Sequence, residues 1–301
     1  MFDLINTLLA AIPIKSKYHS HNDIEVYPTF WISVFGDLST CKSVLVISHG
    51  MGGSKNSSYI VSFANRFAND STMAVITLDS SGICSNVGTP NIWGVAGTAC
   101  QNNYYDEIIE YVLKINPICK IYLSGFSGGA GILLSYLTCT QGYIPNIHND
   151  KISHSFLISI QSHEYNPQLS WIRENSGILA QFISVCHGID GIKFHFYKKN
   201  FKKIRKILTS ITDVKLTNYH VSASGKWYRH NKNTSQKLNA TIIVSKADPI
   251  TRWHEEGNIV MKHQGYNIID FPGGGHCGFW RIDGKRDHEE LIYEYIKKDQ
   301  G

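Results

Sequence analysis

The sequence predicts an α/β protein: a mostly parallel central sheet with helices on both faces. Three observations lead there. Apolar runs of strand length alternate with segments of helical length, the pattern of repeated strand–helix units. One run, Ile121-Tyr122-Leu123-Ser124, passes directly into Gly125-Phe126-Ser127-Gly128-Gly129 and then into an apolar segment of helical length. Another, Val44-Leu45-Val46-Ile47-Ser48, opens into His49-Gly50-Met51-Gly52-Gly53-Ser54. Strands are expected near 26–35, 43–48, 74–78, 120–124, 155–160, 241–245 and 266–270. Helices are expected near 57–67, 104–115, 128–137, 253–263 and 288–297.

With 301 residues and 43% hydrophobic content, the chain can bury roughly three quarters of its unfolded surface as one domain, 1–301. The strand–helix rhythm breaks between Gln161 and Gln236. That is too long for a plain loop, so 161–236 is read as an inserted helical lid. Within it Phe194, Tyr197, Phe201, Ile204 and Leu208 recur at helical spacing, opposite Lys198, Lys199, Lys202, Lys203, Arg205 and Lys206. Such a helix either packs on the core with a solvated basic face or meets an anionic lipid surface.

A strand that ends in G-x-S-x-G and feeds a helix is the nucleophile elbow of the α/β-hydrolases, which makes Ser127 the candidate nucleophile. The glycines let the chain turn sharply enough to lift the serine oxygen clear of the sheet. A Gly-Ser turn at a tight strand–helix junction would look the same in isolation. A serine alcohol is also a poor nucleophile without a base beside it. The order expected downstream is acid, then histidine.

Thr241-Ile242-Ile243-Val244-Ser245 is an uncharged, β-branched strand followed by Lys246-Ala247-Asp248-Pro249. Asp248 therefore falls at the carboxyl edge of the sheet, where such folds build their sites. An Asp-Pro turn capping the next helix is the alternative, and the place of Asp248 one strand after the lid favours the catalytic role. His276, in Gly273-Gly274-Gly275-His276-Cys277-Gly278-Phe279, lies on a glycine-rich loop beyond the last strand and is the candidate base. In this division of labour His276 takes and returns the serine proton. Asp248 holds the imidazole tautomer and stabilises the imidazolium. Asp270 and Asp283 are the rival acids, and Asp270 precedes the histidine too closely to orient it easily. Charge developing on the substrate oxygen needs preorganised N–H donors. Those expected are the backbones of Gly128, after the nucleophile, and Met51, in the loop after the early strand. That loop lacks the G-K-S/T end of a phosphate-binding loop and the G-x-G-x-x-G of a dinucleotide fold.

These pieces together resemble the YheT-type branch of the α/β-hydrolases, a family of monoacylglycerol and medium-chain phospholipase-like serine hydrolases. The matching runs are His49-Gly50-Met51-Gly52-Gly53-Ser54 with Ser58-Tyr59-Ile60, then Gly125-Phe126-Ser127-Gly128-Gly129, Ala247-Asp248-Pro249 and Gly274-Gly275-His276-Cys277-Gly278-Phe279. The resemblance implies Ser127, Asp248 and His276 as the triad. It departs at Gly128, where the family usually has Leu, and at Asp79-Ser80-Ser81-Gly82, where it usually has Arg-Gly. Both departures bear on the acyl pocket.

Seven cysteines without C-x-x-C spacing argue against a disulfide framework and against zinc. The apolar run near the N-terminus has no basic flank, against a secretory signal, and no stretch reaches the ~18 apolar residues of a membrane span. A net charge of +5 carries no nucleic-acid signature. The expectation is a cytoplasmic serine esterase or lipase acting on a small-molecule ester or lipid, with no metal or organic cofactor. Peripheral contact with an anionic membrane through the basic lid helix stays open. So do two alternatives: a non-catalytic binding protein on the same scaffold, and an acyltransferase or thioesterase using the same triad.

Overall fold

Strands with no polar side to show to water must be covered on both faces, and that requirement sets the architecture. The computed structural model describes residues 22–27, 30–50, 55, 57–78, 103–138, 148–160, 239–248, 266–279, 281 and 285–301. Its strands are β1 (Asn22–Tyr27), β2 (Phe30–Phe35), β3 (Ser43–Ser48), β4 (Met73–Leu78), β5 (Lys120–Phe126), β6 (Ile152–Ile158), β7 (Ala240–Ser245) and β8 (Asn267–Phe271). They form one eight-stranded sheet in the order β1-β2-β4-β3-β5-β6-β7-β8. The pairs β1·β2 and β2·β4 are antiparallel, and every pair from β4 to β8 is parallel. Every residue of β3, β4 and β7 is buried, whereas the edge strand β8 is only partly covered.

The helices α1 (Ser58–Ala68), α2 (Asn103–Ile115), α3 (Gly128–Thr138) and α4 (Asp287–Asp299) divide between the two faces. Val44, Val46, Ile121 and Leu123 pack under α2 and α3, with Tyr105, Ile108, Ile109 and Val112 as the α2 stripe. Leu45, Ile47, Tyr122 and Phe126 point the other way and pack under α1 and α4, against Ile60, Phe63, Phe67, Ile292 and Ile296. Right-handed crossovers explain the division. From β3 the chain moves one way to β4 through α1. From β4 it returns past β3 to β5 through α2, and it continues in that direction to β6 through α3. Reversing direction reverses the face, so α1 stands opposite α2 and α3.

The same reversal builds a crevice. β3 and β5 are neighbours, but the connections leaving their carboxyl ends depart in opposite directions, the arrangement in which open α/β sheets bind ligands. Ser48 pairs with Gly125 at that end, so the segments beginning at His49 and Phe126 emerge side by side.

Two expectations need comment. The strand expected over 26–35 is two strands: β1 folds back on β2 with Ile24 opposite Ile32. Pro28 has no N–H for a ladder and a fixed φ, which interrupts an otherwise apolar run. The lid expected over 161–236 and the helix expected near 253–263 lie outside the described residues. Among the described residues no helix is long and apolar enough to cross a membrane.

Phe63 is the centre of the packing beneath the site: its ring lies 5.3 Å from Phe67 and 5.2 Å from Phe126, and it has no exposure. Phe63→Ala should cost about 3–5 kcal/mol, measured as a lowered urea midpoint with an unchanged slope.

Candidate active site

The turn at Ser127 is made by crowding. β5 ends at Phe126, and Ser127 turns the chain with φ 50°, in the left-handed region that few L-residues occupy. Its N–H donates to Ile158 O at 2.8 Å, and its carbonyl accepts the first bond of α3, from Gly131 N at 3.1 Å. A Cβ at Gly125 would lie 2.6 Å from Gly129 O, and one at Gly129 only 2.5 Å from His49 O. Both motif glycines are therefore required by space: α3 starts against the end of β3, with no room for a methyl group between them. Ser127 is left half-buried at the top of the crevice.

Gly128 is the first residue of α3, so its N–H belongs to the first turn, whose amides have no acceptor within the helix and lie at its positive end. Across the crevice, a Cβ on Gly50 would approach Ser127 Cβ to 3.0 Å, which shows how closely the β3 segment abuts the serine. The Gly50 amide is already committed, donating to Tyr59 Oη at 2.9 Å, and His49 Nδ1 donates to Gly50 O at 2.7 Å. Burial pushes the Tyr59 phenol up, so it stays protonated while it holds that amide. Met51, the other expected donor, lies outside the described residues.

The expected acid and base meet. Asp248 closes a turn after β7, its N–H donating to Ser245 O at 3.2 Å. His276 stands in the turn after β8, and its Nδ1 lies 2.8 Å from Asp248 Oδ2. The Asp248 side chain is 1% exposed and the His276 ring 10%. A buried carboxylate at Nδ1 makes that nitrogen the donor and leaves Nε2 as the unprotonated nitrogen of the neutral ring. The rival Asp270 faces Lys246, 3.8 Å away. Asp283 lies outside the described residues.

Burial opposes a charge on His276, but the Asp248 carboxylate outweighs it and raises the histidine well above its ordinary 6.5. A second buried histidine gives the contrast. His288 has no hydrogen-bond partner on either ring nitrogen, and burial, reinforced by the nearby Arg286 charge, drives it well below 6.5.

The His276 loop is held by groups that sequence reasoning missed. Cys277 N donates to Ser159 Oγ at 3.2 Å, and Phe279 N closes on Gly274 O at 2.7 Å. Arg286 Nη1 reaches Cys277 O at 3.4 Å and Gly278 O at 3.2 Å, and Asp287 N donates to Phe279 O at 3.1 Å. Ser159 follows an apolar strand and Arg286 sits in a charged run, so neither stands out as a motif. Among the described residues, those other than glycine with positive φ are Ser127, Ser159, Cys277 and Phe279, all at this edge. Left-handed backbone costs on the order of 1–3 kcal/mol at such residues and concentrates where geometry is functional. Among the described residues no cluster of three or more His, Cys, Asp or Glu could hold a metal ion.

No protein-family model and no curated protein sequence matches this chain. Solved structures match it over nearly its whole length. A soluble variant of the monoglyceride lipase from Saccharomyces cerevisiae superposes with a TM-score of 0.58 at 14% identity, covering 97% of each chain. A thermostable carboxyl esterase from Bacillus coagulans gives 0.55 at 14% identity, over 94% of this chain and 99% of its own. An epoxide hydrolase from Vigna radiata gives 0.54 at 12% identity, over 93% and 98%. The chain therefore has the α/β-hydrolase fold. Since an epoxide hydrolase stands beside esterases among these neighbours, the fold does not choose the bond to be cleaved; the site must.

His276 and His288, both buried, should titrate on opposite sides of 6.5, with His276 above it and His288 below. In Asp248→Asn the His276 midpoint should fall, because the carboxylate that opposes the effect of burial is gone. Histidine ring-proton NMR titrations read both. The sign for stability follows. The contribution of the His276–Asp248 pair is complete below the unfolded value of 6.5 and is lost as pH rises through the raised folded value.

Proposed function

We propose that the protein is a serine hydrolase of carboxylic esters that works through Ser127, His276 and Asp248 and an acyl-enzyme on Ser127. One observation carries this reading: a buried Asp–His hydrogen bond at the sheet edge where a serine turns a strand into a helix. Neutral His276 accepts the Ser127 proton at Nε2 as the oxygen attacks the ester carbonyl. Asp248 holds the imidazolium that forms. The Gly128 amide, with Met51 as its expected partner, receives the charge on the carbonyl oxygen. His276 then gives the proton to the departing alcohol, and water repeats the cycle to release the acid. Metal and cofactor are not needed by this sequence of steps.

Fatty acyl esters are the substrate class we favour within that reading. Two structural neighbours are described as a monoglyceride lipase and a carboxyl esterase, and the lid expected over 161–236 would cover an acyl chain. A membership in the YheT-type branch would point the same way.

A fluorophosphonate probe should label the native protein. Ser127→Ala should abolish labelling, and Asp248→Asn should slow it by about 10²–10⁴-fold. Absence of labelling in the native protein, or its persistence in Ser127→Ala, defeats the proposal. Across p-nitrophenyl esters of increasing length, kcat/KM should hold or rise into medium acyl chains; a sharp fall beyond acetate and butyrate removes the fatty-acyl assignment.

A further inference from the structure

Arg286 is an unusual residue to find inside a protein of this kind. Its side chain has no exposure at all, in a segment whose sequence, Arg281 to Glu290, reads as a charged surface run. Burying a guanidinium is costly unless its donors are used. Here they are spread over three parts of the fold. Nη1 reaches the carbonyls of Cys277 and Gly278, the two residues after His276, and Nη2 reaches Ser58 Oγ at 3.3 Å. Nε lies 3.4 Å from Glu289 Oε1, at ion-pair distance with no hydrogen bond formed between them. Ser58 opens α1, and the next residue, Tyr59, holds the Gly50 amide beside Ser127.

We infer that Arg286 is a positioning residue: its guanidinium ties the His276 loop to the first turn of α1 and so sets where the imidazole stands relative to Ser127. The inference rests on the reading of His276 as general base. Three features give it force. The loop already needs left-handed backbone at Cys277 and Phe279, with φ 62° and 52°, so it relaxes if released. The two terminal nitrogens point different ways, Nη1 to the loop carbonyls and Nη2 to Ser58, a reach suited to a planar fork and poorly met by the single nitrogen of an ammonium. And the same guanidinium also reaches the helix beside the crevice, so both walls of the site share one anchor.

A substitution that merely unfolds the protein would say little, so the test removes the charge pair together. Replacing a buried ion pair with apolar residues of similar volume commonly leaves stability near its original value. In Arg286→Met/Glu289→Leu the Tm should therefore stay close to native while the loop carbonyls lose their donor. With p-nitrophenyl butyrate, kcat should fall on the order of 100-fold with KM within about twofold, the signature of a misplaced base rather than a damaged pocket. Arg286→Lys keeps the charge opposite Glu289 and should lose kcat to a lesser degree.

Arg66→Met is the control. Arg66 bridges the same two helices through Glu290 at 2.9 Å and Tyr293 at 3.8 Å without touching the loop, so it should leave kcat native. A native kcat in both Arg286 variants, or an equal loss in Arg66→Met, overturns the inference. Failure of the native protein to cleave any ester or take the fluorophosphonate sinks the hydrolase reading instead. The clamp is then read by hydrogen exchange over 274–279: faster exchange in the double variant upholds it, and native protection overturns it.

Discussion

A hydrogen bond between two buried groups, His276 Nδ1 and Asp248 Oδ2 at 2.8 Å, is the interaction on which the rest of the site depends. It joins loops that leave adjacent strands, and it resists separation because breaking it takes a hydrogen bond from two buried polar groups. The sheet order supplies the rest of the geometry. β3 and β5 lie side by side with their onward connections diverging, which opens a crevice. Gly125 and Gly129 allow α3 to start against the end of β3 with Ser127 at the turn. Each loop is then fixed by a neighbour: the His276 loop by Ser159 and Arg286, and the β3 segment by Tyr59.

Much of this was legible in the sequence, for physical reasons. Strands covered on both faces have no alternative to continuous apolar runs, so β3, β4, β5 and β7 announce themselves. Glycines forced by backbone contact leave G-x-S-x-G, and the site residues fall at strand ends because that is where an open parallel sheet presents loops. Asp248 was separable from Asp270 by its distance from the histidine, and the structure pairs Asp270 with Lys246 instead. The hairpin of β1 and β2 was hidden because its two strands share one apolar run, with Pro28 as the signal against continuity. Arg286, Ser159 and Tyr59 were illegible for a different reason. Their roles depend on which groups the folded chain brings to them, as Ser159 meets Cys277 and Arg286 meets Ser58 across more than a hundred residues, and local pattern carries no record of such meetings.

The contrast between His276 and His288 shows how little the residue type alone decides. His276 gains a carboxylate and is raised, while His288, packed among the rings of Phe63, Phe126 and Phe279 with an arginine nearby, is lowered. Glu289, buried beside Arg286, is raised to about 7 because burial penalises its charge.

The central claim is that the Asp248–His276 couple makes Ser127 the nucleophile in an ester cleavage with two chemical stages. Rapid mixing with p-nitrophenyl butyrate, followed by acid quench and peptide mass mapping, tests it most directly. The account predicts a burst of nitrophenolate approaching one per chain wherever deacylation is the slower stage, with a butyryl mass on the peptide that contains Ser127. A butyryl mass on any other residue, Cys277 included, or turnover that survives Ser127→Ala, would contradict it.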